Sequence, residues 1–338
     1  MEKRNISIET YNKIKNDIPK EIIEMLPQKP ENLLKYAQRV KEIQFSKDVN
    51  DDTKLLMKKY LLNDEEYLKT FFYVMAITFY NKKPVENPKI SIVAAQTGSG
   101  KSNLTAKILR DNENYIFVDS DKYKHFRYDA REISRKYQVL YPALTGPDAY
   151  DHADNLYRYA IDHKYNIIKE TAPSANKGLL NVNEEELIQK NYRISVSILA
   201  VGELNSLLST HERYELQIIH GLKTAKLTGT HRHDESYNAL IENVKDLIGD
   251  KNIEKIEIYK RGNKDNEFHP QIIYPSNTYS NPIEAIEQAR SIDNETTKKE
   301  FMDRYNLIKK QMDKRHAPKE QYDQIDALLA RANVTERN

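Results

Sequence analysis

Apolar residues along this chain fall into two rhythms. Short runs rich in Ile, Val and Tyr occur at residues 90–94, 115–118, 165–169, 193–201, 255–261 and 271–274. Their length and β-branched content predict strands. Of these, 193–201 (RISVSILAV) is apolar almost throughout and reads as fully buried, whereas 255–261 (KIEIYKR) alternates and reads as an edge strand. Between the runs, residues 148–163, 184–191, 203–217 and 235–248 carry apolar positions at helical spacing. Strands alternating with helices imply a parallel sheet with helices on both faces, an α/β fold. Helical patterns alone occupy both ends. At the start they cover 8–15, 30–43, 51–62 and 65–79, and near the end they run from 282 to 332, with Phe301, Tyr305, Ile308 and Met312 at helix spacing. The segment 65–79 is apolar on too many sides to stand alone and must pack on other elements. Pro84 and Pro88 punctuate the entry to the first long strand. The expected organisation is a helical extension over 1–85, an α/β core over 86–278 and a helical region over 279–338.

Composition narrows the chemistry. The 53 Lys and Arg nearly balance the 51 Asp and Glu, for a net charge of +2. That balance argues against a nucleic-acid binder driven by bulk charge. There is no cysteine, which excludes disulfides, cysteine metal sites and thiol nucleophiles. No apolar run approaches the ~20 residues of a membrane span, and the first residues lack the apolar stretch of a signal peptide. A bacterial cytoplasm, or delivery into the cytoplasm of a target cell, is the expected location.

Glycine is scarce, at nine residues, so one cluster stands out. After the strand at 90–94 comes Ala95-Gln96-Thr97-Gly98-Ser99-Gly100-Lys101-Ser102-Asn103, followed by a helical pattern with Leu104, Ile108 and Leu109 apolar. This is G-x-x-x-x-G-K-[ST] with Ala95 in place of the first glycine. Such a loop turns backbone N–H groups inward around phosphate oxygens. Gly98 and Gly100 permit the curvature. Lys101 is expected to reach the β- and γ-phosphates of ATP or GTP, and the Ser102 hydroxyl to ligate Mg²⁺. The strand–loop–helix setting predicts a P-loop NTPase core of the kinase-like kind.

Ligands of parallel sheets bind beyond the carboxyl ends of the strands. Asp119 and Asp121 follow the second strand, and Glu170-Thr171 follows the third. A carboxylate there can hold or deprotonate an attacking hydroxyl, and Asp121 is the candidate, with Asp119 a helix cap or part of a metal's outer surroundings. The helix after the fourth strand carries Arg213 in THERYE, and Lys226 lies in a basic segment between Gly221 and Gly229. A segment of that kind suits a mobile lid carrying cations to the phosphates. Arg232 is a third candidate cation. Pairing of Arg213 with Glu212 or Glu215 is the plain alternative. His220 and His269 lack dependable ligand spacing; His231 and His233 alternate on an expected loop, yet all four read as satisfied or exposed histidines rather than metal ligands. Tyr137, Tyr141 and Tyr150 read as packing residues rather than a base-stacking platform.

The order G-S-G-K-S, V-D-x-D, strand-E-T, a helix with E-R-Y-E, then H-D before N-A-L-x-x-N resembles the zeta toxins, over roughly residues 89–261. These are P-loop kinases of toxin–antitoxin systems that phosphorylate UDP-N-acetylglucosamine at a sugar hydroxyl. The resemblance implies that Lys101 and Ser102 hold phosphate and metal, that Asp121 is the catalytic aspartate, that Glu170 binds the acceptor, that Arg213 is the first γ-phosphate arginine, and that Lys226 falls where a second is expected. The chain departs from the family at Ala95, at Thr-Ala-Pro-Ser after Glu170, and at Lys226, a point charge instead of a planar fork. The resemblance also implies a proteinaceous inhibitor, either an antitoxin in trans or residues 1–85 acting in cis. The acceptor stays open between UDP-N-acetylglucosamine and a related nucleotide compound. A polynucleotide 5′-kinase and a nucleotide-gated binding module without an acceptor are the alternatives.

Overall fold

The computed structural model describes residues 2–43, 45, 49–137, 140–174, 184–221, 227–262, 269–294 and 298–335. The chain forms two compact units that interleave in sequence. The first comprises Met1–Pro88, Asn114–Ile167 and Lys190–Tyr192, and the second Lys89–Glu113, Ile168–Gln189 and Arg193–Asn338.

In the first unit, β1 (Lys3–Asn5) is followed by helices α1 (Ile8–Ile14), α2 (Lys20–Met25) and α3 (Pro30–Leu33), a 3₁₀ turn (Leu34–Tyr36) and β2 (Gln38–Val40). Helices α4 (Asp51–Lys59) and α5 (Asp64–Phe79) complete its first stretch. The pattern over 30–43 predicts one helix. Instead it breaks after one short turn, and β2 pairs antiparallel with β1. Tertiary partners decide this: the Val40 N–H donates to Asp151, and Arg39 pairs with Asp64 and Asp148 at 3.0 and 2.8 Å. Helix α5 starts with a capping box between Asn63 and Glu66. It buries Tyr67, Leu68, Phe71, Phe72, Val74, Met75 and Phe79, as its all-round apolar character requires, against α1, α2 and the later helix over Tyr141–Asp162.

The unit continues with β4 (Tyr115–Phe117), α7 (Ser120–Tyr123), α8 (Ala130–Lys136) and α9 (Tyr141–Asp162). Helix α9 begins seven residues before the expected 148 and runs through Gly146 and Pro147. Burial of Tyr141 and Leu144 holds its first turns despite these two breakers. Arg127 and Arg39 both reach the buried carboxylate of Asp148, which also accepts from the Leu62 N–H. Breaking such a buried cluster by removing one partner is costly, because it strands a charge.

His152 lies beside this cluster, fully buried and stacked on Tyr67 at 4.2 Å. Neither ring nitrogen has a hydrogen-bond partner among the described residues. Burial, helped by Arg39 and Arg127, pushes its pKa down to about 3. The unfolded chain therefore takes up a proton that the folded chain refuses, and stability falls as pH drops below the unfolded value near 6.5. The expected loss by about pH 5 is roughly 2 kcal/mol, and His152→Phe should remove it. Asp148 and Asp151, both pushed up by burial, act in the opposite sense. The check is therefore the difference in urea-unfolding stability between wild type and variant at about pH 7.5 and pH 5. Equal slopes in the two proteins would refute this account.

The second unit is built on β3 (Lys89–Ala94), the end of β5 (Asn166–Thr171), β6 (Arg193–Ala200), β7 (Ile253–Lys260) and β8 (Gln271–Tyr274), in the order β5-β3-β6-β7-β8. β3 and β6 are parallel, with Lys89 opposite Arg193 and Ala94 opposite Ile198. β7 is parallel to β6, and β8 returns antiparallel to β7. The alternating strand β7 is thus internal, not an edge. Its polar positions Glu254 and Lys255 are exposed and Glu257 is half-buried, with Arg193 paired to Glu254 and Lys255 to Glu257, so the polar positions mark solvent on a strand that still has a neighbour on each side.

Helices α6 (Lys101–Asp111), α10 (Glu184–Gln189), α11 (Glu203–Ile219), α12 (Thr230–Lys245) and α13 (Pro282–Asn294) follow the strands. The result is a largely parallel sheet with helices on both faces, the expected α/β class. The strands β3 and β6 are buried nearly throughout. The C-terminal helices α14 (Lys298–Lys314) and α15 (Lys319–Thr335) pack on α11 through Leu207, Leu208, Phe301, Tyr305, Ile308, Met312, Ile325 and Leu328. Among the described residues no helix is long and apolar enough to cross a membrane.

Candidate phosphate-binding site

The loop between β3 and α6 sits in the second unit. Gly98 and Gly100 adopt φ of +77° and +87°, the left-handed region that glycine enters without penalty. Gly100 is also the residue from which α6 starts. Ala95 is fully buried and lies outside the positive-φ set. The first glycine of the consensus is therefore not needed here for conformation, and a methyl group packs in its place.

The loop is tied on all sides. The Gln96 side-chain amide donates to the Val201 carbonyl at 2.6 Å, the Thr97 N–H to Ser236 Oγ at 3.3 Å, and the Ala95 N–H to the Thr171 carbonyl at 3.4 Å. Ser206 Oγ shares a 2.7 Å bond with His233 Nε2, whose Nδ1 meets Asp234. His233 is thus a buried, satisfied histidine, as expected, and among the described residues no cluster of His, Asp and Glu forms a metal site. Helix α11 forms a wall behind the loop. A Cβ built on Gly98 would come within 2.0 Å of the Ser206 carbonyl oxygen.

Among the described residues, three buried polar atoms of the loop have no hydrogen-bond partner: Gln96 Oε1, Thr97 Oγ1 and Ser99 Oγ. Buried polar atoms without partners are unusual and call for a ligand or water. Together with the amino end of α6, where backbone donors and the helix dipole favour negative charge, these residues fit a bound phosphate chain.

Lys101 carries the strongest electrostatic signal. Burial pushes its pKa down, Arg213 and Arg232 push it the same way, and Glu170 opposes them. A partly desolvated ammonium in the field of two guanidiniums is an arrangement that a polyanion would relieve. Arg213 donates to Thr228 Oγ1 at 3.1 Å. The pairing of Arg213 with its helix neighbours is not what holds those carboxylates. Glu212 is gripped by Arg304 and Glu215 by Arg315, each through two hydrogen bonds. Arg232 is anchored on Glu235 at 2.7 Å and on the carbonyls of Ala172 and Pro173. Glu170 accepts from the Thr105 hydroxyl at 2.6 Å, and Thr171 ends β5 beside the loop. Ser102 is exposed in the first turn of α6, with Asn103 behind it.

Lys226, with the rest of 222–226, lies outside the described residues. Asp119 and Asp121 belong to the first unit. Asp119 caps α7, accepting from the N–H groups of Asp121 and Lys122 at 3.0 and 3.3 Å. Asp121 is exposed and ion-paired with the buried Lys124.

One basic residue was missed in the sequence. Arg261 follows the carboxyl end of β7 and donates to the Gly98 carbonyl at 2.9 Å and to Ser209 Oγ at 3.1 Å. The strand-end rule that singled out Glu170 applies equally to Arg261. The polar face of α11 that supports the loop, Ser206, Ser209 and Thr210, has no signal of its own in the sequence.

The sequence profile of the Zeta toxin family matches residues 75–272, more than half of the chain. This chain belongs to the zeta toxin family. It is 26% identical to the zeta toxin of Enterococcus hirae over 182 residues, covering 53% of this chain and 63% of that toxin. Similarity to the toxin PezT of Streptococcus pneumoniae is 24% over 181 residues, covering 53% of this chain and 71% of PezT. The match thus spans less than two thirds of the Enterococcus protein. A solved structure from the PezAT toxin–antitoxin system of Streptococcus pneumoniae shares the fold, with a TM-score of 0.58 at 19% identity, over 75% of this chain and 98% of that one. The family match ends before α13, so the helices α13, α14 and α15 lie outside it.

Proposed function

We propose that this zeta-family chain is an ATP-dependent kinase that phosphorylates a sugar hydroxyl of UDP-N-acetylglucosamine or a related nucleotide compound, and that it is toxic by doing so. The observation that carries the reading is Lys101: a half-buried, partly desolvated lysine at the end of a glycine loop, with Glu170, Arg213 and Arg232 as its charged neighbours. Three cations, a helix amino end and unpartnered loop atoms form a receptor for a triphosphate. GTP is the alternative donor with the same phosphate chemistry.

In this reading the loop 95–102 holds the phosphates and the Ser102 hydroxyl holds Mg²⁺. The ion, when bound, neutralises charge on the phosphate oxygens. Lys101, Arg213 and Arg232 stabilise negative charge on the group in transfer, with Lys226 as a further cation. Asp121 orients the acceptor hydroxyl and takes its proton, and Lys124 is its ion-pair partner. Glu170 and Thr171 contact the acceptor. Control falls to an antitoxin in trans, or to residues 1–85 in cis.

The test is ADP release by the full chain with ATP·Mg²⁺ alone, with UDP-N-acetylglucosamine and with a DNA oligonucleotide. Release that depends on the nucleotide sugar supports the proposal. Release equal in all three mixtures, or dependent on the oligonucleotide, overturns it. Asp121→Asn is expected to lower acceptor-dependent release by at least about a hundredfold while nucleotide binding persists. Undiminished turnover in that variant would remove Asp121 from the chemistry.

A further inference from the structure

Helix α14 lies outside the part of the chain that matches the family, yet it is joined to the phosphate loop by side chains. Arg304, on α14, donates to both Glu212 oxygens at 2.7 and 2.6 Å, to Asn205 Oδ1 at 2.8 Å and to Ser209 Oγ at 2.9 Å. The same Ser209 oxygen accepts from Arg261 at 3.1 Å, and Arg261 donates to the Gly98 carbonyl at 2.9 Å. A serine hydroxyl has two acceptor lone pairs, and here two guanidiniums take them.

We propose that Arg304 is a positioning residue for the phosphate loop, acting through Ser209 and Arg261 on the Gly98 carbonyl. The inference rests on the reading of the loop as a nucleotide site. A serine inside a helix can turn its hydroxyl back to a carbonyl of the preceding turn. Arg304 holds it outward instead, where it receives Arg261. Arg261 then pins the Gly98 carbonyl. Because the peptide is planar, fixing that carbonyl also fixes the direction of the Ser99 N–H on the other side of the bond. Within the loop this N–H makes only a long 3.4 Å bond to the Gln96 carbonyl, so Arg261 is what sets the plane. Glu212 neutralises Arg304, so two guanidiniums can share one oxygen beside the loop.

The experiment measures MgATP affinity of the full chain by calorimetry, with steady-state kinetics and thermal unfolding in parallel. Ser209→Ala removes one hydroxyl and leaves the Arg304–Glu212 pair intact. It is expected to raise the dissociation constant and KM for MgATP about five- to twentyfold, with kcat within about twofold of wild type. Arg304→Gln should do the same. The double variant should be no worse than either single one, the mark of a shared path. Tyr305→Phe, which removes a hydroxyl that joins α14 to Asp326 on α15, reports what a packing loss away from the loop does: a lower melting temperature with unchanged affinity. Unchanged affinity in Ser209→Ala overturns the proposal, whatever Arg304→Gln does to folding. Failure of the wild-type chain to bind MgATP is a different result, and it overturns the nucleotide reading itself.

Discussion

Gly98→Ala is expected to disable the phosphate loop and to destabilise the second unit by about 2 to 6 kcal/mol. Two costs add. The residue sits at φ of +77°, where a side chain is strained. The new methyl would also lie 2.0 Å from the Ser206 carbonyl oxygen and 2.8 Å from Thr210 Cγ2. The first of these atoms is backbone within α11, so it cannot swing aside. Either α11 shifts, which disturbs the packing of α14 and α15, or the loop lifts away and its N–H groups lose their inward set. Thermal unfolding registers the first outcome and MgATP binding the second. Gly229→Ala is the matched control. Its φ is −65° and among the described residues a Cβ there meets nothing within 4 Å, so it should cost no more than about 1 kcal/mol, the loss expected for Ala at the residue that caps α12. A stable Gly98→Ala protein with wild-type nucleotide affinity would show that α11 does not wall the loop.

Lys101→Met is expected to reduce phosphoryl transfer by about a hundred- to a thousandfold or more, the scale of losing a preorganised charge at the transferring group. The same substitution should stabilise the ligand-free protein. In the folded chain the ammonium is disfavoured by burial and by Arg213 and Arg232, with only Glu170 in its favour. Replacing it by an apolar side chain of similar length removes that penalty. The expected pattern is therefore a higher melting temperature without nucleotide and loss of most of the increase that MgATP brings to wild type. Trading stability for function in this way is common at binding sites. A variant that is less stable without nucleotide would contradict the electrostatic account of the site. One that retains turnover would contradict the assignment of Lys101 to the phosphates.

The sequence was most informative where chemistry is local. The glycine loop could be read directly, because backbone curvature, a phosphate-reaching lysine and a helix amino end must follow one another within a few residues. The strands β3 and β6 were equally plain, since buried parallel strands need nearly unbroken apolar runs. Asp119 as a cap followed from its place before α7. Elsewhere the pattern misled, for identifiable reasons. The polar residues at the start of β7 face solvent although the strand is flanked on both sides, so an internal strand looked like an edge. The segment 30–43 was pulled out of helix by Arg39 and Val40 finding carboxylates far away in sequence. Gly146 and Pro147 hid the first turns of α9, which burial of Tyr141 and Leu144 sustains.

The candidate site divides along the same line. Local sequence established a phosphate loop with Lys101 and Ser102, a run of strand-end acids, and the apolar faces of the terminal helices. Folding alone brought Arg232 into the charge field of Lys101, occupied Glu212 and Glu215 with arginines about 90 to 100 residues away, and set Arg261 on the Gly98 carbonyl. The reason is physical. A turn or a cap is held by interactions between near neighbours, which their spacing reveals. A charge network is held by groups whose separation in sequence carries no trace of their separation in space.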